Sequence, residues 1–169
     1  MNDKLIVIVG FMGCGKTAVA RELSPLLNKP CVDLDARIEE LEGRTPAQII
    51  NDDGKQAFRA TESETLRALL DGEKESVIAL GGGAWAIAVN RELVRSVDSI
   101  AIWLDTPFDV CWQRIKQDGT SRPMARSRAD AERLFLERLP YYRLADLHVE
   151  VAEKSPRQVA ENIAALLQR

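Results

Sequence analysis

The sequence has a single histidine, His148, among 169 residues. One imidazole argues against a His-based zinc site and against a Ser-His-Asp nucleophilic triad. Cysteine is nearly as scarce: Cys14, Cys31 and Cys111 are widely spaced, odd in number and form no CxxC pair. They suit a reducing cytosol. No apolar run approaches the roughly 18–20 residues that a membrane helix needs. The run Leu5–Val9 near the start is short and lacks the continuation of a signal peptide. Positive charge is not in excess either: 23 Lys and Arg stand against 26 Asp and Glu, a net charge of −3. That balance excludes a nucleic-acid binder working by bulk charge. The chemistry that remains belongs to Asp, Arg, Lys and backbone amides.

What is present is alternation. Leu5–Val9 is a continuous branched apolar run, as in a strand buried on both faces. Val19, Leu23, Leu26 and Leu27 then recur at helical spacing. Cys31 to Leu34 reads as a second strand, and Thr45-Pro46-Ala47-Gln48 as a helix start with a capping box. Phe58, Leu66, Leu69 and Leu70 mark a helix ending near Gly72, followed by a strand from Ser76 to Leu80. A short helix carries Leu93, Val94 and Val97, and a fourth strand runs from Ser99 to Leu104. Thr106-Pro107 opens a helix through about Lys116, and Gln117 to Arg128 reads as a polar loop. A helix from Asp130 to about Leu144 contains Pro140 as a candidate interruption. A fifth strand, Leu147 to Val151, precedes a last helix started by Ser155-Pro156-Arg157-Gln158. Strands alternating with helices predict a parallel sheet covered by helices, an α/β fold. With no repeat, linker or low-complexity stretch, residues 1–169 are expected to form one domain.

The segment from Gly10 to Thr17, GFMGCGKT, matches GxxxxGK[ST] between a buried strand and an amphipathic helix. That is the context in which the motif means phosphate binding. The glycines fold the backbone into a nest of N–H groups, and the helix adds the positive end of its dipole. Lys16 supplies a point charge toward the terminal phosphates, and Thr17 a hydroxyl for a metal ion. Cys14, inside the loop, is an expected point of oxidation or alkylation.

Four further features bear on the acceptor. Asp33 and Asp35 are two apart at a strand end, so a strand would aim both carboxylates at one site. Arg59 and Glu62 are three apart on a helix, so the carboxylate can orient the guanidinium for a bidentate grip on an anion. Gly81-Gly82-Gly83 ends a strand where a backbone can approach a ligand closely. Ser121-Arg122-Pro123 lies in a polar loop, with Arg138 to Arg143 (RLPYYR) on the next helix. A loop arginine can close over a transferring phosphoryl group. Taken alone, each has a plain structural explanation: a solvated turn, a surface ion pair, a flexible turn, a basic loop. From Ser121 to Arg143 six arginines face three acidic residues, a local excess that the overall charge conceals.

In order and spacing, GFMGCGKT, DLD, FRATE, GGG, SRP and RLPYYR resemble the shikimate kinase family over essentially the whole chain. The resemblance implies a three-layer α/β/α P-loop kinase fold with a five-stranded parallel sheet, order 2-3-1-4-5. It implies MgATP-dependent phosphorylation of the shikimate 3-hydroxyl in chorismate and aromatic amino acid biosynthesis, by a cytoplasmic monomer. It carries roles to residues. Gly13, Cys14, Gly15, Lys16, Thr17 and Ala18 would cradle the ATP phosphates. Thr17 would ligate Mg²⁺, with Asp33 acting through water. Asp35 would bind the substrate hydroxyls and act as base. Arg59, Gly82 and Arg138 would hold shikimate, and Arg122 would reach the phosphates from a lid at about 117–129. Arg114 and Lys154 would lie on the adenine side. The substrate-binding region would span about 34–62. Ile50, Lys55 and Met124-Ala125 stand where the family usually has other residues. Rival readings are a gluconate kinase-like enzyme, a catalytically silent nucleotide-binding module and a nucleic-acid-dependent ATPase. The first would not require the paired arginines after an Asp-x-Asp, the intact Lys16, Asp33, Asp35 and Arg122 speak against the second, and a broad basic surface signature for the third is lacking.

Overall fold

Five consecutive apolar residues, Leu5–Val9, form the central strand β1, and every one is buried. Such a run belongs in the middle of a parallel sheet with helices on both faces. β1 pairs with β3 (Val77–Ala79) on one side and β4 (Ser99–Asp105) on the other. β2 (Cys31–Asp33) lies outside β3, and β5 (Leu147–Glu150) outside β4. All pairings are parallel, as the alternation of strands and helices predicts, and the order is β2-β3-β1-β4-β5, as the family resemblance implies. The register brings Ile8 beside Ala79 and Ile102, so the carboxyl ends of the central strands open together. The computed structural model describes residues 4–72, 76–119, 123–151 and 153–168.

Eight helices cover the described sheet: α1 (Lys16–Leu27), α2 (Leu34–Glu42), α3 (Pro46–Asp53), α4 (Lys55–Gly72), α5 (Ala88–Arg95), α6 (Phe108–Asp118), α7 (Arg128–Tyr142) and α8 (Pro156–Leu167). α1 packs on α8, burying Val19 and Leu23 with Val159 and Ile163 in the core. α4 packs on α2 and α3. The starts of α3 and α8 are the capping boxes expected from Thr45/Gln48 and Ser155/Gln158, each with Pro in the first turn. Among the described residues no helix is long and apolar enough to cross a membrane.

Several expectations are corrected. β2 ends at Asp33, and Leu34 opens α2. The strand argument for Asp33 and Asp35 therefore fails. Asp33 is instead the N-cap of α2, its carboxylate accepting from the Ala36 amide, and Asp35 sits in the first helical turn. A cap Asp at a strand end is drawn into the helix start because it satisfies an amide that no helical carbonyl can reach. Leu26 lies in the last turn of α1, where the apolar stripe leaves the core, and is 39% exposed. α7 runs through Pro140 without a break. The carbonyl that loses its donor belongs to Leu136, itself 60% exposed, where water can serve it. The loop expected from Gln117 is shorter, because α6 continues to Asp118 before Gly119 caps it in the left-handed region.

Candidate active site

β1 leads into the phosphate loop, in which Gly10, Gly13 and Gly15 take φ of +147°, +76° and +98°. At Gly13 the demand is double, because a Cβ there would lie 2.6 Å from the Cys111 carbonyl oxygen. Gly15 caps α1 without any side-chain hydrogen bond. The first amides of α1 are thus left to an anion, as at other helix starts that bind phosphate. The Lys16 ammonium is buried and donates to the carbonyls of Gly10 and Phe11, both at 2.9 Å. The Thr17 hydroxyl donates to Asp33 Oδ2, while Asp33 Oδ1 accepts from the Ala36 amide at 3.1 Å. Arg114 Nη1 donates to the Gly13 carbonyl at 3.3 Å, and Thr106 Oγ1 to the Cys14 carbonyl at 3.3 Å. These bonds fasten α6 and the end of β4 to the loop. The cleft above it encloses about 1020 Å³, counting its open mouth. Cys14 is not at its surface: the residue is 1% exposed, which argues against the sensitivity expected from sequence. Burial also pushes the neighbouring Cys111 thiol up to about 12.

A second cleft, of about 540 Å³, lies between α4, the glycines after β3 and α7. Arg59 Nη1 donates to Glu62 Oε2 at 2.6 Å, and the Glu62 side chain is 1% exposed. Burial raises the Glu62 carboxyl above the usual carboxylate range, with Arg59 pulling it back. Arg138 is buried too, and desolvation lowers its guanidinium from the ordinary value. The two guanidinium groups converge on Gly83. A Cβ there would lie 2.2 Å from Arg59 Nη2 and 2.7 Å from Arg138 Nη2. Two cations held together away from water are relieved by an anion placed between them. Arg59 Nε and Glu62 Oε1 are buried without a hydrogen-bond partner among the described residues, so both have capacity for a ligand. Pro46, Ala47 and Ile50 form the apolar wall.

The clefts meet. Met12, Asp35 and Gly82 line both. Asp35 Oδ1 would lie 2.8 Å from a Cβ placed on Gly81. A carboxylate therefore stands on the boundary between an anion cradle and a guanidinium-paired pocket. That arrangement suits transfer of a phosphoryl group to a hydroxyl of an acceptor that carries its own negative charge.

Residues 12–168 match the family model described as shikimate kinase. A shikimate kinase of Cereibacter sphaeroides is 40% identical over 97% of this chain and 82% of its own length. One from Ruegeria pomeroyi is 37% identical over 97% of this chain and 85% of its own. The solved structure of shikimate kinase from Acinetobacter baumannii in complex with shikimate superposes with a TM-score of 0.91. It is 34% identical and spans 98% of this chain and 93% of that one. The chain belongs to the shikimate kinase family. A gluconokinase from Sinorhizobium meliloti, 19% identical with a TM-score of 0.63, shares only the fold.

The residues that the shikimate kinase resemblance singles out fall into these clefts with three exceptions. Gly13, Gly15, Lys16, Thr17, Ala18, Asp33 and Arg114 line the first. Arg59 and Arg138 line the second, and Asp35 and Gly82 line both. Cys14 is packed beneath the loop. Lys154 stands apart, its ammonium donating to the Glu150 carbonyl at 3.3 Å, and lines neither cleft. Arg122 lies outside the described residues, although Pro123 and Met124 beside it line the second cleft. Ile50, one of the departures from the family pattern, is part of the acceptor wall; Lys55 is exposed at the start of α4. Sequence reasoning missed Thr106, Met12 and Tyr142. Only Tyr142 carried a signal, as an aromatic one helical turn after Arg138.

Proposed function

We propose that the protein transfers the γ-phosphoryl group of MgATP to the 3-hydroxyl of shikimate, forming shikimate 3-phosphate and ADP. The observation that carries this reading is the meeting of the two clefts at Asp35, with paired arginines on the acceptor side. The loop amides and Lys16 hold the phosphates and spread the charge that develops on them. Arg59 and Arg138 grip the acceptor carboxylate, and Glu62 keeps the Arg59 fork aimed. That grip turns the ring so that one hydroxyl meets Asp35, which orients it and takes its proton as the new bond forms. Phosphoryl transfer asks little covalent help of a protein, so placement and charge carry most of the effect. Arg122, on the strength of its Ser-Arg-Pro context, closes the phosphate side from the segment between α6 and α7.

The Thr17 hydroxyl and the Asp33 carboxylate, hydrogen-bonded to each other beside the loop, are hard oxygen donors of the kind Mg²⁺ takes. Thr17 would ligate the ion and Asp33 would hold it through water, the other ligands coming from phosphate and water. When bound, Mg²⁺ neutralises phosphate charge. Arg114 flanks the nucleotide, whereas Lys154, which lines neither cleft, is left out of the nucleotide site. A monomer of one domain is part of the proposal, on the strength of the family resemblance. The cysteine usage supports a cytoplasmic enzyme. The test is ADP release by purified protein with MgATP and, separately, shikimate, gluconate and nucleoside monophosphates. Release dependent on shikimate alone is expected. Its absence at millimolar shikimate, or a preference for gluconate, would overturn the reading.

A further inference from the structure

Tyr142 ends α7 with its phenol fully inside the protein, 1% exposed. Its hydroxyl donates to the Gly82 carbonyl. Arg138 stands one helical turn earlier on α7, and its guanidinium lies against Gly83 of the same loop. The direction of the bond follows from chemistry: a carbonyl has only lone pairs, so the phenol supplies the proton. A single hydrogen bond thus ties together two parts of the acceptor cleft that come from different elements, the glycine loop after β3 and the turn of α7 that carries Arg138. The ring is itself fixed, stacked on Trp103 with centroids 6.2 Å apart and planes 23° from parallel. A second clip runs alongside it, as Trp85 Nε1 donates to the Tyr141 carbonyl at 3.0 Å.

A trans peptide is planar, and its C=O and N–H point opposite ways. Holding the Gly82 carbonyl toward Tyr142 therefore turns the Gly83 amide away from it. Gly83 lines the acceptor cleft and is the residue on which both guanidinium groups converge. We propose that Tyr142 is a positioning residue for the acceptor: its one hydroxyl sets the Gly82–Gly83 peptide and pins the turn of α7 that carries Arg138 in register with it. The glycine loop and the carboxylate clamp then act as one unit. This rests on the reading of the second cleft as the shikimate site. Tyr142 touches no substrate, so it acts through Arg138 and the loop and leaves the nucleotide side alone.

Tyr142→Phe removes the hydroxyl and keeps the ring and its stack. Steady-state kinetics should show the shikimate KM rising about tenfold, about 1.4 kcal/mol, with kcat and the ATP KM within twofold of wild type. Trp103→Phe is the control: it loosens the stack but keeps the phenol, and should lower the melting midpoint without separating the two KM values. An unchanged shikimate KM in Tyr142→Phe overturns the proposal. So does an equal rise in both KM values, or a protein too unstable to assay, since either makes the hydroxyl merely structural. Wild type is measured alongside. If it shows no shikimate-dependent turnover, the functional reading fails and this proposal with it; if it turns over and the variant matches it, the proposal alone fails.

Discussion

Gly83→Ala separates acceptor binding from stability more cleanly than removal of either arginine. Gly83 has φ −107° and ψ −10°, which alanine adopts without strain. The added Cβ would sit 2.2 Å from Arg59 Nη2 and 2.7 Å from Arg138 Nη2. Both atoms are the far ends of flexible side chains, so they swing aside and the backbone stays. Folding should change by less than about 1 kcal/mol, with a small gain from restricting the unfolded chain. The clamp is a different matter. Nη2 of Arg59 must retreat by roughly 1 Å, a misplacement that typically lowers efficiency about 100-fold. Lost hydrogen bonds to a charged group, about 1.5–3 kcal/mol, give a similar figure. The assay is coupled ADP release with shikimate varied at saturating ATP and the converse, beside a urea melt. The expected result is a fall of about 100-fold in kcat/KM for shikimate, an unchanged ATP KM and an unchanged melt. A shikimate KM within twofold of wild type would refute the convergence of the arginines. A loss of several kcal/mol in the melt would refute the claim that they yield easily.

Gly13→Ala should behave in the opposite way. Its φ is +76° and its Cβ meets the Cys111 backbone carbonyl at 2.6 Å, an atom that cannot swing aside. A stability loss of about 2–4 kcal/mol and a raised ATP KM are expected, and a neutral melt would contradict the loop geometry. Glu62 has a pH signature with two signs. Its carboxyl is raised by burial, so it favours the folded state at low pH and that contribution is lost as pH rises through the raised value. Acceptor binding runs the other way. Protonation weakens the pairing that aims Arg59, so the shikimate KM should climb as pH falls, beginning above the range of an ordinary glutamate. Asp35 and Arg138 face the same carboxyl, so the limb is assigned by Glu62→Gln, which should flatten it. A limb that survives unchanged in Glu62→Gln belongs to another group.

The elements governed by local rules were readable from the chain. β1 follows from an unbroken apolar run, the phosphate loop from glycines ahead of Lys16-Thr17, and the starts of α3 and α8 from capping boxes four residues long. The acceptor site was readable only as an ordered set of short motifs, because its geometry is made by packing. Arg59 and Arg138 come from helices far apart in sequence and meet on a glycine of a third element. Nothing in their own neighbourhoods fixes that. The Asp33 and Asp35 pair was identified for an incorrect reason. The strand ends one residue earlier than expected, because Asp33 serves better as a helix cap than as a strand residue. Tyr142 was legible only as part of RLPYYR, since the bond that distinguishes it reaches Gly82, sixty residues back along the chain.

The account stands on Asp35 as the group shared by the two clefts. Asp35→Asn keeps the shape and removes the base, so the decisive measurement is its kcat beside its nucleotide affinity. The account predicts a kcat lowered by about 10²–10⁴-fold with the ATP dissociation constant within a few-fold of wild type. A collapse of nucleotide affinity with turnover per bound ATP preserved would contradict it.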